Sequence, residues 1–171
     1  GSDWDNTRDI TVVSREDGSG TRGAFVELFG IEEEVNGEKV DMTTEEANIT
    51  NSTSVMMSTV AQDEYAIGYI SLGSLDDSVK AVKVDGSEAT AENIKNGSYK
   101  ISRPFNIATK EDLSDAAQDF EDFILSTEGQ KVVEDNKYIP LDDVSDYKSN
   151  GASGKVVVAG SSSVSPVMEK L

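Results

Sequence analysis

The chain has 171 residues, 33 of them acidic and 15 basic, which gives a formal net charge of −18. That charge repels nucleic acid and anionic lipid, and the absence of cysteine and histidine excludes disulfides, thiolate chemistry and histidine-based triads. The length suits one ordinary domain or two small lobes, and no stretch is long and apolar enough to span a bilayer.

A β-branched strand near the start of the chain runs into a two-glycine turn and then into a helix. The strand is predicted at Ile10 to Val13, the turn at Asp17-Gly18-Ser19-Gly20-Thr21, and the end of the helix at Gly30. The glycines permit positive φ, and the free N–H groups at the start of the helix favour an anion. Taken alone, the pattern is equally consistent with a plain turn and a helix cap. The helix is predicted to carry an apolar side made of Ala24, Phe25, Leu28 and Phe29.

Arg15 lies at the end of this strand and adds a cation to the turn. Its guanidinium is predicted to curl over the turn and fork onto two anion oxygens, while Asp17 holds its other nitrogens. The alternative is an exposed ion pair with Glu16 or Asp17, which would contribute little.

The next part of the chain is predicted to alternate polar loops, helices and short strands. An acidic exposed loop is expected over residues 31–50, and residues 51–54 then cap a helix. Strands are predicted at 66–71 and at 79–84, the second of which ends at an Asp85-Gly86 turn.

Helices dominate the predicted structure after residue 90. Thr90 is expected to cap a short helix through Lys95, which Gly97 stops, and longer helices are predicted after Ser114 and from near Thr127. The aromatic residues Tyr69 and Phe105 are assigned to the core rather than to ligand contacts.

A strand-turn-helix pattern returns at the end of the chain. Residues 149–154 are polar and read as a flexible linker. After them, residues 155–160 are predicted to form a strand, Ser161-Ser162-Ser163 a hydroxyl-rich turn, and Ser165-Pro166 the start of a helix. The pattern predicts a second anion cradle, with a solvated linker end as the alternative.

Metal binding is not expected. Residues 146–151 begin like a calcium loop, but Lys148 stands where an oxygen ligand is needed and Val157 where the bidentate glutamate should fall.

Four motifs closely resemble the PstS-type phosphate-binding proteins of bacterial ABC transporters. They are Ser14 to Arg22, Ala66 to Gly73, Ser102 to Phe105, and Glu128 to Gln130. The last residues, Ala159 to Leu171, resemble the segment that opens the mature protein in that family. The resemblance implies an α/β fold with mixed sheets flanked by helices, a partial version of the two-lobed periplasmic-binding-protein-like fold, which holds phosphate by hydrogen bonds without metal or cofactor.

The resemblance also implies which residues bind phosphate. Arg15 matches the phosphate-pairing guanidinium and Asp17 the acid that orients it. The hydroxyl and N–H donors from one lobe match Ser19, Gly20 and Thr21, and the donors of the facing lobe match Ser162 and Ser163. No residue is assigned a catalytic role.

The order of the segments departs from the family pattern. Residues 1–148 correspond to the back half of such a protein, residues 149–155 to a linker, and residues 156–171 to its opening strand and helix start. A further serine, and a carboxylate that accepts a proton from phosphate and helps to reject sulfate, have no counterpart here. A tandem duplication explains this order, and a circular permutation with a deletion explains it less simply.

The predicted function is that of an extracytoplasmic solute-binding protein that recognises inorganic phosphate for uptake by an ABC-transporter permease, without catalysis. A lipid anchor is expected in the full-length parent. One alternative is a folded fragment or interaction module without phosphate affinity, and a less favoured one is a phosphoryl-transfer enzyme. The last strand is also predicted to permit a homodimer by strand exchange.

Overall fold

The fold is given by a computed structural model that describes Asp5 and residues 7–171. Residues 1–4 and 6, at the start of the predicted 1–148 segment, therefore lie outside the described residues. In order, the elements are β1 (Thr11–Arg15), α1 (Gly20–Phe29), β2 (Glu32–Val35), β3 (Glu38–Asp41), β4 (Asn48–Thr50), α2 (Thr53–Gln62), β5 (Ala66–Ile67), a 3-10 turn (Leu72–Ser74), α3 (Ala91–Lys95), α4 (Asp115–Ile124), α5 (Thr127–Asp135) and α6 (Ser165–Met168).

A parallel sheet with strand order β4-β1-β5 lies at the centre of the first part of the chain. β1 pairs in parallel with both β4 and β5, and parallel neighbours require a crossover connection. Helix α1 lies between β1 and β4 in the chain, and α2 lies between β4 and β5. Val13, Val26 and Met56 are buried against this sheet. The predicted mixed α/β class is confirmed.

The predicted strand, turn and helix at the start of the chain are confirmed. Ser19 caps α1 by accepting a hydrogen bond from the Arg22 N–H at 3.3 Å, and Gly30 ends the helix with a φ of 64°. The apolar side of α1 is less buried than expected, because Val26 faces the core and Phe29 remains 43% exposed.

The predicted loop over residues 31–50 is wrong, because that region forms strands. β2 and β3 pair as an antiparallel hairpin, and β4 then joins the parallel sheet. The hairpin turn is Asn36-Gly37, whose φ values of 55° and 85° are both positive. Asn-Gly is the strongest short signal for such a turn, and here it outweighs the acidic composition that suggested a loop.

The strands predicted at 66–71 and 79–84 are wrong in different ways. The first is cut to two residues, the length of β5. The second does not form, and Val82 is 67% exposed. A single bridge between Val84 and Ser87 closes the predicted Asp85-Gly86 turn.

The helices of the second half begin where the capping residues predict. The hydroxyls of Thr90, Ser114 and Ser126 each accept a hydrogen bond from the backbone N–H three residues on. Helix α3 ends at Lys95, as expected, and Gly97 follows it with a φ of 78°.

The predicted strand at 155–160 does not form, since these residues have no sheet partner in the described chain and Val157 is 78% exposed. The predicted flexible linker before it is fastened to α4 through Asp119. That carboxylate accepts hydrogen bonds from the Tyr147 hydroxyl at 2.7 Å, the Asn150 N–H at 2.6 Å and the Ser149 hydroxyl at 3.1 Å.

Removing the charge of Asp119 is expected to release this segment. The hydrogen bonds from Tyr147, and then from Asn150, hold the pKa of Asp119 below its usual range. The attachment should therefore be intact above the ordinary aspartic acid pKa and be lost as the pH falls through the lowered value. In Asp119→Asn, amide hydrogen exchange at Asn150 should accelerate at neutral pH, while exchange in Asp122→Asn should match wild type. Unchanged exchange at Asn150 would contradict the attachment.

Candidate functional site

The candidate site lies at the carboxyl edge of the parallel sheet. Arg15 and Thr50 end β1 and β4 as register partners, and α1 and α2 begin just beyond them. In open α/β sheets this edge is where ligands bind, because loops and helix starts converge there.

Arg15 is a buried cation, with only 3% of the residue exposed. Its Nε and Nη2 donate to the two carboxylate oxygens of Glu16 at 2.9 and 3.1 Å. Nη2 also donates to the Ser162 hydroxyl at 3.2 Å, and Nη1 to the Thr53 hydroxyl at 3.4 Å. Three segments that are distant in the sequence therefore meet on one guanidinium.

The predicted pairing of Arg15 with Asp17 is wrong in this structure. Asp17 is exposed and pairs with Arg22 at 2.9 Å, while the adjacent Glu16 forks onto Arg15. The hydrogen bond from Arg15 lowers the pKa of Glu16. The alternative, an exposed ion pair with Glu16 or Asp17, includes the observed partner Glu16, but it is wrong about exposure because the Arg15 side chain is buried.

The two-glycine turn has the geometry that its sequence predicts. Gly18 has a φ of 81°, and the Ser19 N–H donates to the Glu16 carbonyl at 3.2 Å, which closes the turn. Ser19 is partly buried and its hydroxyl oxygen is used in capping α1. Thr21 is buried on the first turn of α1, and its hydroxyl contacts that of Ser163.

The serine-rich segment near the end of the chain packs against this turn. A Cβ built on Gly20 would lie 2.8 Å from the Ser161 hydroxyl, so glycine permits the close approach. The Ser161 hydroxyl accepts from the Ser163 N–H at 3.2 Å, and the Tyr138 hydroxyl donates to the Ser163 carbonyl at 2.8 Å. The structure thus brings Ser162 and Ser163 beside Arg15 and Thr21.

Tyr69 has a polar role that the sequence analysis missed. Its hydroxyl bonds with the Ser14 hydroxyl at 2.8 Å and accepts from the Arg15 N–H at 3.0 Å, while its ring stacks on Phe25 at 4.1 Å. The sequence signal for this polar role is the position of Tyr69 two residues after β5, the strand that pairs with β1. The assignment of Phe105 to the core is wrong, since it is 52% exposed.

The chemistry of the site is that of a buried arginine paired with the Glu16 carboxylate and flanked by neutral hydroxyls. A hydroxyl can rotate to donate to a bound oxyanion or to accept from the guanidinium. The described residues contain no group of three or more acidic side chains that could hold a metal ion. Within the same part of the chain, no helix is long and apolar enough to cross a membrane.

Fold and site together define an α/β domain built around a buried arginine at the carboxyl edge of a parallel sheet. A family model described as PBP superfamily domain matches residues 2–128. The chain belongs to that superfamily.

The chain is similar to proteins named as phosphate-binding. It is 63% identical over 164 residues to the phosphate-binding protein PstS 2 of Streptococcus agalactiae serotype V, a match that covers 95% of this chain and 56% of that protein. Identity to PstS 2 of Streptococcus pneumoniae serotype 4 is 50% over 163 residues, again with 95% of this chain and 56% of the relative. The chain thus spans a little over half the length of these curated relatives.

Solved structures show the same fold. A phosphate-binding protein of a phosphate ABC transporter from Streptococcus pneumoniae matches with a TM-score of 0.79 and 49% identity, over 95% of this chain and 64% of that one. A putative phosphate ABC transporter substrate-binding protein from Clostridium perfringens, solved with bound phosphate, matches with a TM-score of 0.68 and 48% identity, over 78% and 52% of the two chains.

The division of the chain into residues 1–148, 149–155 and 156–171 stays a prediction. Because the match to the Streptococcus agalactiae protein leaves 5% of this chain uncovered, it takes in both the turn at 17–21 and the run at 155–160, one after the other. The tandem duplication and the circular permutation both stay predictions.

Replacing Glu16 by glutamine is expected to loosen the Arg15 guanidinium. Since the pKa of Glu16 is lowered, the pair should stabilise the fold fully above the ordinary glutamic acid pKa and lose that contribution as the pH falls through the lowered value. The NMR signal of the Arg15 Nε–H should shift and exchange faster in Glu16→Gln. It should be unaltered in Asp17→Asn, and the reverse pattern would assign the pairing to Asp17.

Adding a methyl group at Gly20 is expected to push Ser161 away from the turn and break its hydrogen bond to the Ser163 N–H. Gly23 is the matched control, because a Cβ there meets nothing within 4 Å. Gly23→Ala should raise the free energy of unfolding by about 0.5–1 kcal/mol through helix propensity. The free energy of unfolding of Gly20→Ala should be about 1 kcal/mol lower than that of Gly23→Ala, because one hydrogen bond is lost. Urea unfolding measures both, and equal stability would show that Ser161 does not restrict this position.

Proposed function

We propose that the chain recognises inorganic phosphate as part of an extracytoplasmic solute-binding protein that supplies an ABC-transporter permease. The family membership and the names of the similar proteins support this proposal. Phosphate is bound and released without turnover, in keeping with relatives that are named as binding proteins.

The observation that carries the proposal is the burial of Arg15, whose guanidinium pairs with Glu16 and also contacts two hydroxyl groups. A guanidinium matches the oxygens of a tetrahedral oxyanion and can bind two of them at once. Thr53 and Ser162 already contact it, and Thr21 and Ser163 lie beside them. Phosphate approaching the guanidinium would therefore meet several hydroxyls that can turn their protons towards it.

The turn supplies the remaining contacts of the proposed site. The backbone N–H groups at the start of α1 carry the positive end of the helix dipole. Gly20 opens that helix without a side chain and is itself exposed at the turn. Ser19 positions the helix start and can share its hydroxyl with the ligand.

The acidic surface does not oppose this function. The net charge of −18 slows the encounter with an anion, whereas affinity depends on short hydrogen bonds inside the site. Selectivity against sulfate is expected to need the proton-accepting carboxylate that has no counterpart in this chain. The lipid anchor of the parent protein and the homodimer by strand exchange stay predictions, the second supported by the exposure of Val157 and Val158.

Calorimetric titration with phosphate, with sulfate as the competing anion, tests the proposal. Arg15→Met should weaken phosphate binding by roughly 100-fold or more, because a forked pair with a charged group contributes about 3 kcal/mol. Arg15→Lys should bind with intermediate affinity, since lysine keeps the charge and loses the fork.

Arg103→Met is the matched control, because Arg103 pairs with Glu27 on the surface and both side chains are about half exposed. Its affinity should equal that of wild type. No heat with millimolar phosphate would overturn phosphate recognition by this chain, and full binding by Arg15→Met would show that the site lies elsewhere.

A further inference from the structure

Arg22 joins three separate parts of the structure through one side chain. Its Nη1 donates to the Arg15 carbonyl at 2.8 Å and pairs with Asp17 at 2.9 Å. Its Nε donates to the Asp41 carboxylate at 2.7 Å, at the end of β3. The Arg22 side chain is 15% exposed, whereas its partner carboxylates on Asp41 and Asp17 are 33% and 97% exposed, so the guanidinium is largely buried while its pair with Asp17 faces water.

The partner in the hairpin is itself fixed. Asp41 also accepts hydrogen bonds from the Thr43 N–H at 2.8 Å and the Thr43 hydroxyl at 2.6 Å. Partial burial disfavours the charge of Asp41, but the hydrogen bonds from Thr43 and Arg22 outweigh it and lower its pKa. Arg22 is therefore attached to a rigid, ionised carboxylate rather than to a free side chain.

The contact with Arg15 bears directly on the site. The N–H of Arg15 donates to the Tyr69 hydroxyl, and its carbonyl accepts from Arg22. Both polar backbone groups of the residue are thus held by side chains at the point where β1 ends. A small shift of this peptide would move the buried guanidinium and the turn that follows.

We propose that Arg22 is a positioning residue, which uses its attachment to Asp41 in the β2–β3 hairpin to hold the Arg15 backbone and the 17–21 turn in place. Arg22 acts through Arg15 and the turn. Where the consequence is phosphate affinity, this inference rests on the proposed function.

Amide hydrogen exchange tests the positioning role without a ligand. In Arg22→Met and in Asp41→Asn, exchange at the Arg15 and Ser19 amides should rise by roughly tenfold, the change expected when a hydrogen bond to a charged group is lost. The Gln130 amide in α5 should keep its rate, because it lies outside this network. Arg22→Lys should give a smaller rise in the exchange rates, since a single ammonium keeps the charge but cannot make all the hydrogen bonds of the guanidinium.

Glu32→Gln is the matched control, because Glu32 lies opposite Asp41 in the same hairpin but its carboxylate pairs with Lys39. Its turn amides should exchange at the wild-type rate. Uniformly faster exchange, including Gln130, would show that Arg22 serves global stability alone and would overturn the proposal, as would unchanged rates in Arg22→Met and Asp41→Asn. If Arg22→Met does not fold, Asp41→Asn and Arg22→Lys decide.

Phosphate titration of the same variants separates the two proposals. Arg22→Met and Asp41→Asn should lose about tenfold in affinity if the turn binds phosphate, while Glu32→Gln should not. Faster exchange at the turn in a protein whose wild type binds no phosphate would support the positioning role and contradict the proposed function. If wild type binds phosphate and the turn amides of the variants exchange at the wild-type rate, the proposed function is supported and the positioning role of Arg22 is contradicted.

Discussion

The rest of the site depends on the cost of burying the Arg15 charge. A guanidinium removed from water must have its N–H groups satisfied, or folding loses several kcal/mol, on the order of the penalty for one unpaired buried ion. Glu16 neutralises the charge and accepts from Nε and Nη2, the Ser162 hydroxyl accepts a second hydrogen bond from Nη2, and the Thr53 hydroxyl accepts from Nη1. The convergence of distant segments at the end of β1 follows from this requirement.

The partners of Arg15 also set what the site can exchange. The Glu16 carboxylate is a permanent acceptor, whereas each hydroxyl can act as donor or acceptor. An incoming oxyanion can therefore take over the hydroxyl contacts without leaving any group unpaired, since the hydroxyl protons rotate towards it. Under the proposed function, the arginine would therefore keep its hydrogen bonds both in the free protein and with phosphate bound.

The sequence predicted the features that depend on residues close together in the chain. The turn at 17–21 and the caps at Thr90 and Ser114 each involve residues within four positions of one another. The choice of Glu16 over Asp17 could not be predicted this way, because it depends on how the turn directs two neighbouring side chains. The role of Tyr69 could not be predicted either, because it depends on the pairing of β1 with β5. The strand expected at 155–160 is absent because a β-branched run forms a strand only beside a partner strand.

The contact between Gly20 and Ser161 joins the beginning and the end of the described chain. Such a contact closes a long loop, and its entropic cost must be met before the contact gives any stabilisation. The parallel sheet joins β1 to strands that end by residue 67, whereas the Ser162 hydroxyl that contacts Arg15 comes from 147 positions further along the chain. An intact site therefore requires residues 161–163 to be docked on the turn, and a chain in which they are not docked carries an arginine whose partners are incomplete.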